Sequence, residues 1–127
     1  MAKIAVISED SETIQRYVSI HEQQGHETVS TEDVRASWAF VESEEPDLVT
    51  LEDSLADPML RIGLVGFAGA NAMVRKIPIV MCSDQDPEDL SSELRDLGKM
   101  NVTFLHRPVQ EEAYLAVLQT LLDTGER

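Results

Sequence analysis

Short apolar runs alternate along this chain with stretches whose apolar residues return every three or four positions. Residues 3–7 (KIAVI) show no polar alternation, which predicts a strand covered on both faces. Ser8, Glu9, Asp10 and Ser11 then form a polar turn with good N-cap candidates. Ile14, Tyr17, Val18 and His21 recur at i, i+3, i+4 and i+7, one face of a helix that Gly25 ends. Residues 27–30 read as a weaker strand. Thr31, Glu32 and Asp33 supply a cap and first-turn acids, and Val34, Trp38 and Val41 give the next stripe, with Trp38 expected in the core. That helix stops before Pro46, and residues 47–52 form a third strand, the most central by its apolar content.

Residues 56–76 are the least regular. Asp57 and Pro58 can start a helix, but Gly63, Gly66 and Gly69 fall every third residue inside it. Each glycine costs a helix interior about 1 kcal/mol relative to alanine, which predicts a loosened or displaced helix. Residues 77–82 are an apolar strand in which Pro78 stands near the start, where proline is tolerated. Asp86, Pro87, Glu88 and Asp89 open a fourth helix with cap, proline and acids in order. Its stripe is Leu90, Leu94 and Leu97, and Gly98 is its stop. Residues 102–105 are the fifth strand. After Arg107 and Pro108, a last helix carries Tyr114, Val117, Leu118 and Leu121 on one side. Five strands alternating with five helices predict an α/β fold, a doubly wound parallel sheet with helices on both faces.

Length and composition fit this picture. A chain of 127 residues, 43% hydrophobic and 27% charged, is expected to be one soluble domain, residues 1–127. The formal charge of −14 repels phosphate backbones and anionic membranes, so nucleic acid and membrane surfaces are not expected partners. Proteins or a cation are. The single cysteine, Cys82, excludes an internal disulfide and a cysteine-based zinc site. A lone thiol in an apolar run is expected to be buried and fits a reducing, cytoplasmic setting. No signal peptide is read at the start, and the apolar region 60–74 is too short to span a membrane.

Chemistry is expected at one edge of the sheet. With right-handed crossovers, the ends of the first, third, fourth and fifth strands emerge together: Ser8 and Glu9, Glu52 and Asp53, Ser83 and Asp84, His106 and Arg107. The result is an acidic pocket with one basic residue. No nucleophile with a paired base appears, so an enzyme is not expected. A flavin-binding domain of flavodoxin type, with the acids as a solvated rim, would want a hydroxyl-rich phosphate loop that the first turn lacks. His21 and His26 have no second ligand at metal spacing and are expected at the surface or the core edge. His106 is expected to be structural.

Taken in order, five segments resemble the receiver domain of two-component response regulators, over nearly the whole chain. Residues 3–10 (KIAVISED) are similar to the first receiver strand and its acidic pair, and residues 25–29 (GHETV) to the approach to the second. Residues 46–52 (PDLVTLE) resemble the strand that ends at the phospho-accepting aspartate. Residues 77–83 (IPIVMCS) resemble the strand that ends in the switch hydroxyl, and residues 104–108 (FLHRP) the segment with the switch aromatic and a lysine–proline pair. The resemblance implies the flavodoxin-like (CheY-like) strand order 2-1-3-4-5. It also implies partnership with a histidine kinase or a downstream signalling protein, a possible homodimer through the last helix, and a cis bond at Arg107–Pro108.

Several positions depart from the family. The phospho-acceptor position holds Glu52, the first metal-binding acid is Ser8, the second is Glu9, and the lysine is Arg107; Ser83 and Phe104 are acceptable switch residues. Phosphorylation of an aspartate needs a carboxylate in line with its donor and Mg²⁺ to neutralise the oxygens. Glu52 sets its oxygens roughly 1.5 Å further out, and misplacement by about 1 Å can cost on the order of a hundredfold in rate. Ser8 removes a charge from the metal site, so Mg²⁺, if it binds through Glu9 and Glu52, is expected to bind weakly or not at all. Arg107 prefers a carboxylate fork, and its pairing with Glu52 would be worth up to roughly 4 kcal/mol of raw Coulomb energy before desolvation. The expectation is an atypical, pseudo-receiver type of domain that needs no cofactor and acts through protein contacts, Glu52 biasing it towards an active-like state. The alternative is an active receiver that accepts phosphate on Asp53 (or Glu52), with a bulge moving the strand end and bringing Asp10 into the metal site.

Overall fold

The computed structural model describes residues 1–33, 36–52, 77–83 and 102–125. Strand β1 (Lys3–Ile7) leads to helix α1 (Ser11–Gln23), β2 (Glu27–Thr31), α2 (Ser37–Glu44) and β3 (Leu48–Glu52). Strands β4 (Ile79–Ser83) and β5 (Val102–His106) follow, and helix α3 (Glu111–Gly125) ends the described chain. The sheet has five strands in the order β2-β1-β3-β4-β5, every pair parallel. This is the expected doubly wound arrangement. The helices expected within residues 56–76 and 86–98, Val34 and the side chain of Trp38 lie outside the described residues.

Central strands without polar alternation end up covered on both sides, as Leu48 to Glu52 and Ile79 to Ser83 are buried throughout. One face packs Ala5, Ile7, Val49, Leu51, Ile79 and Met81 around Val41 of α2. The opposite face packs Ile4, Val6, Leu48, Val80 and Cys82 beneath Ile14, Tyr17 and Ile20 of α1 and Tyr114, Leu118 and Leu122 of α3. Cys82 is buried, and desolvation pushes its thiol up to about 12, which keeps it protonated. Among the described residues no helix is long and apolar enough to cross a membrane.

Helix ends are set by local chemistry. Asp10 caps α1, accepting the Glu12 N–H at 3.1 Å and the Thr13 hydroxyl at 2.9 Å. Past its other end Gly25 takes φ +78°, a left-handed turn that glycine adopts without Cβ strain. The close of α2 reaches a similar region with Glu45 at φ 48°, where an L side chain is strained. The bond between Arg107 and Pro108 is cis.

His21 corrects the expectation for it. Placed at the surface or core edge by sequence, it is fully buried under α1. Its ring nitrogens explain how: Nδ1 lies 2.8 Å from the Thr28 hydroxyl and Nε2 lies 2.6 Å from the Tyr114 hydroxyl. That same Tyr114 oxygen is 2.8 Å from the hydroxyl of Thr50. A polar chain therefore runs from β2 through α1 and α3 to β3, each member partnered as a buried group must be. His26 sits half-buried at the core edge, its Nδ1 accepting the Ala2 N–H at 3.0 Å.

Candidate functional site

The parallel sheet delivers the carboxyl ends of β1, β3, β4 and β5 to one edge, where Ser8, Glu52, Ser83 and Arg107 meet. Strand β3 runs unbroken to Glu52, which pairs in register with Cys82 of β4, so no bulge shifts the strand before that residue. Glu52 is thereby carried into the interior, 8% exposed. Arg107 reaches back across β4 from just beyond β5, its backbone N–H held by the Ser83 carbonyl at 2.8 Å. Its Nε lies 3.1 Å from Oε1 of Glu52. The pair is lopsided: the arginine side chain is 36% exposed and the glutamate side chain 7%. The other carboxylate oxygen, Oε2, is buried and has no hydrogen-bond partner among the described residues.

Among the described residues, a tyrosine and a thiol lie on the inner side of Glu52. Tyr17 is fully buried and donates its hydroxyl to Cys82 Sγ at 3.5 Å. Burial pushes that hydroxyl far above the ordinary tyrosine range, with Cys82 and then the Glu52 carboxylate adding to the rise. The ring of Tyr17 packs on Tyr114 with centroids 4.8 Å apart at 60°. Arg16 lies over the Tyr17 ring and donates to the Val109 carbonyl, tying α1 to the segment after Arg107.

The sequence-expected residues divide. Ser8, Glu52, Ser83 and Arg107 converge, with Ser8 and Ser83 buried. Phe104 is half-buried and packs against the α2-side core. Glu9 is exposed. Asp10, expected in the acidic pocket, is drawn instead to the first turn of α1, one oxygen accepting the Glu12 N–H and the other the Thr13 hydroxyl. Its own N–H is bonded to the Ser8 hydroxyl at 3.2 Å. Asp53 lies outside the described residues. The residues whose polar roles pattern reading missed are Tyr17, Thr50, Cys82 and Tyr114. The signal was available in the two tyrosines and the threonine, since a buried hydroxyl demands a partner.

Among the described residues, no group of three His, Cys, Asp or Glu side chains is placed to hold a metal ion. Mg²⁺ asks for several hard oxygens at short, near-octahedral distances. Among the described residues, the buried Glu52 carboxylate already faces a guanidinium, the Ser8 hydroxyl accepts a backbone N–H, and Glu9 is exposed. The described donors alone do not fit the ion.

No family model matches the sequence, and no curated protein matches it. Solved structures do match. The signal receiver domain of a signal transduction histidine kinase from Syntrophus aciditrophicus superposes with TM-score 0.78 at 18% identity, covering 100% of this chain and 94% of that one. Chemotaxis protein CheY4 from Vibrio cholerae gives TM-score 0.71 at 22% identity, over 96% and 99% of the two chains. NtrX from Brucella abortus gives TM-score 0.75 at 20% identity over 98% of this chain and 27% of the other. This chain therefore spans about a quarter of the length of NtrX. At these identities the matches show a shared fold.

Proposed function

We propose that this chain, which has the fold of response regulator receiver domains, is a signalling domain of the two-component type that works through protein contacts without Mg²⁺-dependent aspartyl phosphorylation. One observation carries this reading. At the end of β3, where phosphoryl chemistry would need an accessible carboxylate and a divalent cation, Glu52 is buried and faces Arg107 at 3.1 Å. The guanidinium supplies the positive charge from within the chain, permanently and with no ion to bind. A kinase or a downstream signalling protein is the partner class the fold suggests, and a second copy docking on α3 is a further contact of the same kind. No enzymatic activity is assigned.

The test is direct. The domain is incubated with acetyl phosphate and Mg²⁺ and its intact mass is measured. The expected spectrum shows the unmodified mass alone. A stable phosphoryl adduct that disappears in Asp53→Ala or Glu52→Ala would establish the active alternative instead. Conversely, Glu52→Asp combined with Ser8→Asp is expected to gain Mg²⁺ affinity, and a failure to do so would mean that these positions are not the pocket.

A further inference from the structure

We infer that the buried chain of Thr50, Tyr114, His21 and Thr28 donates in one direction, outward from β3, and that protonation of His21 reverses the bond between His21 and Tyr114. The reversal leaves one hydroxyl proton without an acceptor where α3 meets the strand that ends at Glu52. The chain is then an acid-sensitive latch between α3 and β3. It stands apart from the reading of the pocket, since no part of it needs Glu52, Arg107 or a partner.

Thr50, Tyr114, Thr28 and a neutral His21 each bring one proton to the chain, and three bonds join them. One proton is therefore left over. It falls on Thr28 if every group donates outward, from Thr50 to Tyr114, from Tyr114 to Nε2 of His21, and from Nδ1 to Thr28. It falls on Thr50 or Tyr114 if His21 donates to Tyr114 instead. Both of those residues are 0% exposed, and their hydroxyls meet no other acceptor among the described residues, a costly state for a buried donor. Thr28 is half-buried on the edge strand β2, where water can take the spare proton. The outward direction is the one that strands nothing. Burial pushes the Tyr114 hydroxyl up, and the bond with Thr50 works against that rise, as a donor to the phenol oxygen does.

A protonated His21 donates from both ring nitrogens. Nε2 then gives its proton to the Tyr114 oxygen, and Tyr114 can no longer give its own to Nε2. Thr50 and Tyr114 are left with a hydroxyl proton each and the single 2.8 Å bond between them. One of these protons is stranded in a dry interior, which weakens the polar contact between α3 and β3. Among the described residues, the titratable groups around His21 are Tyr17 of its own helix, with ring centroids 6.3 Å apart, Tyr114 of α3, and His26 just ahead of β2. Strand β3 offers the chain only the Thr50 hydroxyl.

The test is NMR of the whole chain with nitrogen-labelled histidine and carbon-labelled threonine. At neutral pH the His21 ring is expected to carry its proton on Nδ1, with Nε2 bare; a proton on Nε2 would overturn the direction of the chain. As the pH is lowered to about 4.5, the folded-state signal of the Thr50 methyl is expected to shift together with the His21 ring nitrogens. In Tyr114→Phe the link is cut, and the Thr50 methyl is expected to lose that response. In His21→Gln it is expected to lose it as well, which keeps the test available if the tyrosine variant does not fold. A Thr50 methyl that stays in place while wild-type His21 gains its proton would overturn the latch, as would one that still shifts with pH in either variant.

Discussion

Acidification should weaken this fold through His21 in a measurable way. The imidazole is fully buried, and desolvation, with His26 adding a smaller push, lowers it to about 4 from the ordinary 6.5. The unfolded chain therefore binds a proton that the folded chain refuses between these two values. A depressed folded value means that stability is complete above 6.5 and drains away as the pH falls towards 4. Linkage between those values gives a loss of about 2 kcal/mol at pH 5 and about 3 kcal/mol at pH 4 from this one group. The carboxylates titrate in the same range, and relief of the −14 charge acts in the opposite direction. A His21→Gln variant keeps those carboxylates and removes the imidazole, so the difference between the two proteins isolates His21. Urea unfolding at pH 7.5 and pH 5 should show the wild type losing about 2 kcal/mol more than the variant. Parallel losses, or an NMR titration that finds His21 near 6.5, would refute the reasoning.

Three further outcomes follow from named contacts. Tyr114→Phe keeps the ring and strips partners from Thr50 and His21, so it should cost about 1–3 kcal/mol in urea unfolding; a cost below about 0.5 kcal/mol would contradict the buried chain. Glu45→Gly relieves a left-handed residue at φ 48° and should raise stability by about 1 kcal/mol, while Gly25→Ala at φ +78° should lower it by a similar amount although nothing within 4 Å would meet the new Cβ. Arg107→Met should destabilise by at most about 3 kcal/mol, since the arginine is partly solvated, and adding Glu52→Leu should recover part of that loss. A double variant less stable than Arg107→Met alone would show that the glutamate is not the strained partner.

The frame of the fold was legible because its signals are redundant. Residues 3–7 form β1 as expected, and unbroken apolar runs placed β3 and β4 inside the sheet. Convergence of Glu52 and Arg107 was legible too, since parallel topology forces the strand ends to one edge. The partner choices of individual polar groups were not legible. Asp10 satisfies equally well a pocket acid and a helix cap, and only the start of α1 at Ser11 decides between them. His21 sits in the apolar stripe of α1, but its burial depends on Tyr114, 93 residues later. Local periodicity carries no information about that pairing. Thr50 is hidden for the same reason, as a β-branched residue in a strand needs no further explanation until a hydroxyl is found opposite it.

The asymmetry of the ion pair bears most directly on what the pocket does. If Arg107 and Glu52 were equally buried, removing either would strand a charge and the pair would act as a rigid staple. With the arginine 36% exposed and the glutamate 7%, water can take over the guanidinium, but the carboxylate must find its donor inside the protein. Losing the pair is therefore a problem for Glu52 alone. That is why adding Glu52→Leu to Arg107→Met, which removes the stranded carboxylate, is expected to recover stability.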